Sequence, residues 1–377
     1  MKKSLSILVV AGFLLTMCLP VSAADWGLYG QVRLNTFWTK YSDERPGRLS
    51  DTTRFSGARD AAVGGSMLMT TSRFGGTVAH ETIKGGFEVG SGGLTAMNIR
   101  LLWAAVKLGD GELLVGQHYA PYGMGAWFSK DVYTHHSGYD TMGLQFVGYT
   151  CRVPMIQYSV SGFRFAFTQP DHTFSNDFFV DPERQLPQMQ ASYDYAIDKT
   201  KMNLAVAYQT YKENAPVAWN GERLDAWGVA GRIQLTQMDP IYVNLGGQYG
   251  QNLGPLGQFD GIAGRGGLGN VYPSLAPAIG PNNRIEDTDT WTVLGTVGFQ
   301  NPGLGGEIGV GHLVSDNDLW ASKDKMSHYY AQLRIPLTHV GHAQCILQVG
   351  MFDYFDDLAG NDAGDAIYGG AAWQVFF

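Results

Sequence analysis

The sequence predicts an all-β chain that crosses a membrane as an antiparallel barrel of about 16 strands. Apolar and polar residues alternate with a period of two, which is the period of a strand with unlike faces. The chain contains 19 Tyr, 19 Phe, 9 Trp and 50 Gly, but only 16% charged residues, a composition that suits a membrane barrel. Short and long connections also alternate along the chain, as they do in barrels of this kind.

The first 23 residues read as a secretory signal peptide. Lys2 and Lys3 precede an apolar run over 5–19, and Val21, Ser22 and Ala23 form a small-residue cleavage site. The run is too short for a comfortable membrane span. We therefore expect a signal peptide at 1–23 and a single transmembrane barrel over 24–377.

Cys18 leaves open a lipoprotein signal, but the bulky Met17 stands before it, where a small residue is expected. Loss of the two signal-peptide lysines leaves 24 of the 26 basic residues against 34 acidic ones, a net charge of −10. Cys151 and Cys345 are then the remaining cysteines, too few for a disulfide framework.

Sixteen segments carry the period of two. In "KMNLAVAYQ", for example, Met202, Leu204 and Val206 alternate with Asn203 and Ala205. The sixteen predicted strands begin near Gly27, Ser72, Ile83, Met97, Glu112, Arg152, Phe163, Leu186, Thr200, Glu222, Ile241, Thr290, Leu304, Ser327, His342 and Ile367.

The connections between these strands divide into two kinds. Seven are short and built largely from turn residues: "HET", "LGDG", "SG", "IDK", "QMDP", "NPG" and "THVG". Most of the others are long, namely 39–71, 120–151, 170–185, 251–289 and 356–366, with 91–96 as a short exception. This alternation places the short turns at one end of the sheet, on the periplasmic side of a membrane barrel, and the long loops at the external end.

A secreted β-sandwich is the alternative fold. Connections as long as 251–289 are uncommon in compact domains. The apolar face recurs on nearly every strand, with Tyr and Trp near strand ends as in an interfacial girdle. A membrane sheet must also close, because unpaired edge groups are costly in hydrocarbon, so strand 1 is expected to pair with strand 16.

Two stretches and the C-terminus resemble the trimeric, sixteen-stranded porins of Gram-negative outer membranes. "TSRFGGTVAHETIKGGFEVG" is similar to the strand 2–3 hairpin of that family, and "RLLWAAVKLGDGELLVGQHYAPYG" to its strand 4–5 unit. The terminal Phe377 is similar to the aromatic residue that barrel-assembly machinery reads. The resemblance implies an outer-membrane homotrimer for passive diffusion of small hydrophilic solutes and ions, with lipid and lipopolysaccharide around it. Where many porins have Arg, this chain has Gln117.

Six arginines are expected to face the lumen, because an Arg facing lipid at mid-depth costs about 2–4 kcal/mol. They are Arg33, Arg73, Arg100, Arg164, Arg232 and Arg334. In the family, the loop corresponding to 120–151 folds inward and faces such a wall. In this chain that loop carries Asp131 and Asp140, with Lys130, Tyr133, His135 and His136 nearby.

A basic wall opposite an acidic loop predicts a constriction with a transverse field, where charge sets ion preference. The alternative is that these arginines are structural partners of Glu88, Glu112 and Glu307, other candidate lumen residues. The balance between cation and anion preference stays open at this point, because external acidic loops and a basic lumen act in opposite directions.

A barrel enzyme is the rival function. His135 and Ser137 resemble a phospholipase pair, and the pairs Asp287/Asp289 and Asp316/Asp318 suggest a protease. A substrate-specific channel is a further alternative. No cofactor, metal or nucleic-acid motif is recognised, and "GRGGLGN" lacks the helix that a phosphate-binding loop needs. The acidic segment 356–365 does not match an EF-hand, although calcium binding there stays open.

Overall fold

The computed structural model describes residues 24–42, 62–69, 71–91, 97–123, 130–132, 146–148, 152–169, 182–183, 186–213, 223–256, 275, 278–279, 285–338, 342–356, 360 and 362–377. The predicted signal peptide lies outside these residues. So do Asp140, His135, His136 and Ser137. Among the described residues, no helix is long and apolar enough to span a membrane.

The chain forms a closed antiparallel barrel of 16 strands. We number them β1 (Asp25–Tyr41), β2 (Ala62–Leu68 with Arg73–His80), β3 (Ile83–Ser91), β4 (Met97–Leu108), β5 (Gly111–Tyr119), β6 (Arg152–Val160), β7 (Phe163–Thr168), β8 (Gln188–Ile197), β9 (Thr200–Glu213), β10 (Arg223–Leu235), β11 (Ile241–Gln251), β12 (Asp289–Gln300), β13 (Gly305–Asp316), β14 (Asp324–Pro336), β15 (Ala343–Asp353) and β16 (Asp365–Phe376). All sixteen predicted strands are confirmed, with shifts of a few residues at their starts.

The second strand is longer than the sequence pattern predicted. Its first part, Ala62–Leu68, pairs with β1 from Leu34 to Lys40, in a stretch that was assigned to the connection 39–71. Its second part pairs with β1 from Asp25 to Gln31. Between the two parts, the Ser72 hydroxyl accepts a hydrogen bond from Arg33 N (2.9 Å) and donates one to Arg33 O (3.2 Å). A serine side chain therefore replaces the ladder bonds that this bulge interrupts.

The barrel closes between its first and last strands, as predicted. β1 pairs antiparallel with β16 from Gln31↔Phe376 to Tyr41↔Ala366. The seam ends with Gly30 N donating to Phe377 O (2.7 Å) and Phe377 N donating to Gly30 O (3.0 Å). No strand edge is left open at this point, which is the condition for placing a sheet in hydrocarbon.

The two faces of the wall differ in polarity. On β9, the outward Leu204 and Val206 are 55% and 42% exposed, whereas the inward Asn203 is 4% exposed. Other strands expose Ile, Val, Leu and aromatic side chains in the same alternation. The inward face carries Gln, Asn, Thr, Glu and Arg. This distribution is inverted relative to a soluble protein, because lipid is the solvent for the outer face.

The strands are joined at one end by tight turns. Glu81, Ser161 and Asp198 adopt positive φ of 46°, 48° and 49° there, and the turn after β4 places Gly109 at a φ of 62°. The predicted short connections at these four places are confirmed. Some long connections hold small elements, including a hairpin of Ala278–Ile279 with Ile285–Glu286 and a 3-10 turn at Gly254–Leu256.

Candidate functional site

The described parts of the connection 120–151 lie inside the barrel. Tyr122 N donates to Gln190 Oε1 (2.9 Å) on β8, and Asn35 Nδ2 on β1 donates to Val132 O (2.7 Å). Both partners belong to the inward-facing, buried set on their strands. The described residues 120–123 and 130–132 therefore lie against the inner face of the barrel, at β8 and at β1.

Apolar packing adds to these bonds. Tyr122, Phe146 and Val147 are fully buried in a cluster with inward side chains of β9–β16 such as Leu294 and Leu313. A methyl group at Gly311 on β13 would lie 2.8 Å from the Phe146 ring, so only glycine leaves room for the ring there. The described loop residues Tyr122, Phe146 and Val147 therefore pack against one side of the inner wall.

Arg73, Glu88 and Arg100 form one charged cluster on β2, β3 and β4. Arg100 Nε lies 2.5 Å from Glu88 Oε1, and Arg73 Nε lies 3.1 Å from Glu88 Oε2. Tyr29 OH also donates to Glu88 Oε2 at 3.1 Å. The Arg100 side chain is 2% exposed and that of Arg73 is 28% exposed, so Arg73 is the member that reaches open space. This pairing is the partnership with Glu88 that the sequence left as an alternative.

A β-bulge turns Arg100 inward. The register between β3 and β4 shifts at Glu88/Val89, and both Arg100 and Leu101 are buried between the exposed Ile99 and Leu102. Gln117 stabilises the bulge, because its Nε2 donates to Ile99 O (2.9 Å) and Arg100 O (3.1 Å). The residue that departs from the family pattern therefore bonds to the backbone that carries Arg100.

Arg164 and Arg232 belong to a second cluster, on β7–β10 near the turns. Arg164 Nη2 lies 2.7 Å from Asp194 Oδ2, and Asn203 Nδ2 donates to the other oxygen of that carboxylate. Arg232 pairs in register with Asn203 and is 6% exposed. This cluster also has two cations and one carboxylate.

Arg334 belongs to a third cluster with Lys130 of the loop and Glu307 of β13. Lys130 N donates to Glu307 Oε1 (2.6 Å), which fixes the loop against the wall. Glu112, the other candidate partner, pairs instead with Lys84 Nζ (2.5 Å). Arg33, the sixth predicted arginine, is half-buried on the inward face, and its Nη2 donates to Gln31 Oε1 (3.4 Å).

Asp131 does not line open space. It is 4% exposed, accepts a hydrogen bond from Gln348 Nε2 and has Oδ2 4.0 Å from His328 Nδ1. His328 is itself fully buried, and its Nε2 lies 2.8 Å from Tyr368 OH. The carboxylate is therefore turned to the β14–β15 wall, where its contacts hold this part of the loop against the wall. Asp140, the other acidic loop residue, lies outside the described residues.

A Ser–His contact exists that the sequence pattern did not reveal. His312 Nδ1 lies 2.8 Å from Ser327 Oγ, and Ser327 pairs in register with Asp353. Ser327 is 3% exposed, and it stands between the histidine and the aspartate, whereas a nucleophilic triad needs the carboxylate on the histidine. His312 and Ser327 are 15 residues apart on neighbouring strands, and their contact can be predicted only when the strand register is known. Within the described residues, no group of three or more His, Cys, Asp and Glu could hold a metal ion.

No protein-family model matches the chain, and no curated protein matches its sequence. Solved structures do match. The outer membrane channel DcaP of Acinetobacter baumannii is 20% identical, with a TM-score of 0.68, over 95% of this chain and 98% of that one. An anion-selective porin from Comamonas acidovorans is 13% identical, with a TM-score of 0.60, over 94% and 100%.

The in-vitro folded outer membrane protein OmpT of Vibrio cholerae, in a trimer form, is 12% identical, with a TM-score of 0.53, over 94% of this chain and 100% of that one. These likenesses extend over nearly the whole chain. The chain has the sixteen-stranded barrel fold of Gram-negative outer-membrane porins.

Proposed function

We propose that the chain is an outer-membrane porin, a water-filled channel for passive diffusion of small hydrophilic solutes and ions. The difference in polarity between the two faces of the wall is the observation that carries this proposal. A closed wall with exposed Leu204 and Val206 outside and Arg164 and Asp194 inside suits hydrocarbon around it and water within. The fold shared with an outer membrane channel and an anion-selective porin supports it.

In this proposal the connection 120–151 is the constriction loop. Its described segments bond to Asn35 on β1 and pack against β8–β16, and the wall that carries Arg73 and Arg100 would be the opposite side. Arg73 would line the opening. Arg100 would contribute its charge from behind the surface of the opening, since it is the more buried member of the pair. Arg33 would add a cation to the same wall.

The three charged clusters favour anions. Each of them has two cationic side chains near a single carboxylate, so each carries a net charge of +1 when its members are ionised; the carboxylates are Glu88, Asp194 and Glu307. This positive lumen contrasts with the acidic chain as a whole, whose net charge is −8. Charges that line a narrow pore act on a permeating ion more strongly than screened charges at the mouth. We propose anion preference for this reason.

We further propose export through a signal peptide at 1–23, assembly as a homotrimer and contact with outer-membrane lipid and lipopolysaccharide. The likeness to a protein that is known in a trimer form supports the homotrimer. Phe377, at the seam, would be the signal for the barrel-assembly machinery. We propose no enzymatic activity, and the buried position of Ser327 beside His312 favours this view over a hydrolase.

The test is a planar-bilayer recording of the purified protein under a potassium chloride gradient. We expect stepwise conductance, with steps grouped in threes, and a reversal potential displaced toward that of chloride. Protein that gives no conductance but hydrolyses phospholipid would contradict the proposal. A general pore gives conductance proportional to salt concentration, whereas a substrate-specific channel saturates and is blocked by its own solute.

A further inference from the structure

The connection between β11 and β12 begins with an anchored turn at Asn252. This residue follows β11 directly and adopts a φ of 52°, a left-handed conformation in which Asn is enriched. Its Nδ2 donates to Asp225 O on β10 (2.9 Å) and to Asp287 Oδ1 (2.6 Å), and its Oδ1 accepts from Thr288 N (2.9 Å). Since Asp287 and Thr288 directly precede β12, one buried side chain holds both ends of this connection against the wall.

The residues after this turn pack against the inner face of the wall. Leu253 and the 3-10 turn Gly254–Leu256 are buried. Tyr211 OH on β9 donates a hydrogen bond to Pro255 O (3.0 Å). Both leucines belong to the buried apolar cluster that also holds Tyr122. The start of this connection therefore meets the constriction loop against one side of the inner wall.

Tyr122 and Leu253 lie over the same glycine of the inner wall, Gly228 on β10. A methyl group at Gly228 would overlap the Tyr122 hydroxyl and lie 2.9 Å from Leu253 Cδ2. Gly228 pairs in register with Ala207 on β9 and Gly250 on β11. A methyl group at Gly250 would lie 2.6 Å from the same Leu253 atom. Three neighbouring strands thus present small residues at one depth, which we call the Gly228 seat, and a side chain from each connection covers it.

The small residues of the Gly228 seat are buried although they belong to the lumen wall. Tyr122 and Leu253 stand where water would otherwise reach them. Both side chains are held in place, since Tyr122 OH donates to Gln248 Oε1 (3.3 Å) and Leu253 directly follows the turn at Asn252. They are uncharged, so they reduce the width of the lumen without adding to its electric field.

We propose that residues 252–256 form a second constriction element. They act with the constriction loop to set the largest solute that passes, and Leu253 and Leu256 are the residues that determine this limit. The charged clusters set the preference for charge, whereas this element sets the preference for size. The inference rests on the proposed function, because a size limit has meaning only for an open channel.

The test compares the rates at which sucrose and arabinose enter liposomes that contain the purified full-length mature protein, as followed by osmotic swelling. Both sugars are uncharged, so the ratio of their rates reports the width of the pore. This ratio does not depend on how many channels are folded, which separates a change in the pore from a loss of stability. Leu253→Ala combined with Leu256→Ala opens space beside the wall and is expected to raise the sucrose-to-arabinose ratio at least about two-fold.

The matched control is Leu204→Ala combined with Leu245→Ala. It makes the same change at two leucines on the outer face of β9 and β11, which are 55% and 50% exposed, and its ratio should equal that of wild type. An unchanged ratio in the variant of Leu253 and Leu256 contradicts the second constriction element. Should that double variant fail to fold, as judged by its mobility in unheated gels, the single Leu256→Ala variant decides the question on the same ratio.

This outcome is separable from that of the channel proposal. Wild type that admits neither sugar and gives no conductance in bilayers contradicts the channel. Wild type that admits arabinose, together with a double variant that has the same ratio, contradicts the second constriction element alone.

Discussion

The ring of Phe377 lies directly over Gly30 at the seam where β16 meets β1. A methyl group at Gly30 would stand 2.4 Å from two carbon atoms of that ring, and two backbone hydrogen bonds join the same residues. The last residue of the chain is thus held on the outer face of the first strand, and its ring remains 65% exposed. This contact completes the closed wall.

Gly30→Ala should weaken closure, because the added carbon displaces the Phe377 ring or the backbone beneath it. Overpacking of this kind costs about 1–3 kcal/mol. Urea unfolding of the protein in detergent, followed by tryptophan fluorescence, measures the effect. Gly27→Ala on the same strand is the control, since no atom lies within 4 Å of the carbon it would add. Equal loss of stability in both variants would contradict the seam contact.

Deletion of Phe377 should slow outer-membrane assembly. It removes the two closing hydrogen bonds with Gly30 as well as the aromatic side chain. Pulse-labelling, followed by the appearance of heat-modifiable trimers, gives the rate. Phe377→Tyr keeps the ring and the backbone, so it should assemble at the wild-type rate. A normal rate and trimer yield for the deletion variant would refute the assembly role.

Arg100→Glu should move the reversal potential in a salt gradient toward cation preference. The change converts a cluster with a net charge of +1 to −1 and places two carboxylates side by side. Lys84→Glu reverses a charge of the same sign at the exposed Lys84–Glu112 pair, outside this cluster, and should move the potential less. An unchanged reversal potential in Arg100→Glu would remove this residue from the constriction.

The stability contributed by Lys130 should rise with pH. Burial, followed by the charge of Arg334, lowers the pKa of Lys130 in the folded protein, so the folded state binds fewer protons than the unfolded state in the alkaline range below about 10.5. The penalty for the charged ammonium is therefore present at neutral pH and is relieved as pH rises through the folded pKa. Wild type should gain stability relative to Lys130→Met between pH 7 and pH 10, as measured by urea unfolding. A constant or shrinking difference would contradict this pKa direction.

The strands could be predicted from the sequence because each one carries its own period-two pattern. Ala62–Leu68 was missed, since two glycines in "AVGGSML" blur the alternation and the bulge at Ser72 shifts the pattern of the following part. The inward direction of Arg100 was predicted from the cost of placing charge in lipid, although a bulge achieves it.

The details of the loop could not be read in the same way. The contact between Tyr122 and Gln190 joins residues 68 apart, and that between Val132 and Gln348 joins residues 216 apart. No local pattern encodes which wall such a loop meets. Asp131 was predicted to face the basic wall because of its charge alone. In the structure it instead contacts Gln348 and His328 on another wall.

The central claim is that water fills this barrel and lipid surrounds it. Single cysteines at Arg164, Phe165 and Phe167, in a Cys151→Ser, Cys345→Ala background, test it directly in intact outer membranes with a charged methanethiosulfonate reagent. Arg164→Cys should react at least about ten-fold faster than the outward Phe165→Cys and Phe167→Cys, because hydrocarbon excludes the charged reagent. Comparable reaction rates at all three positions would contradict the account.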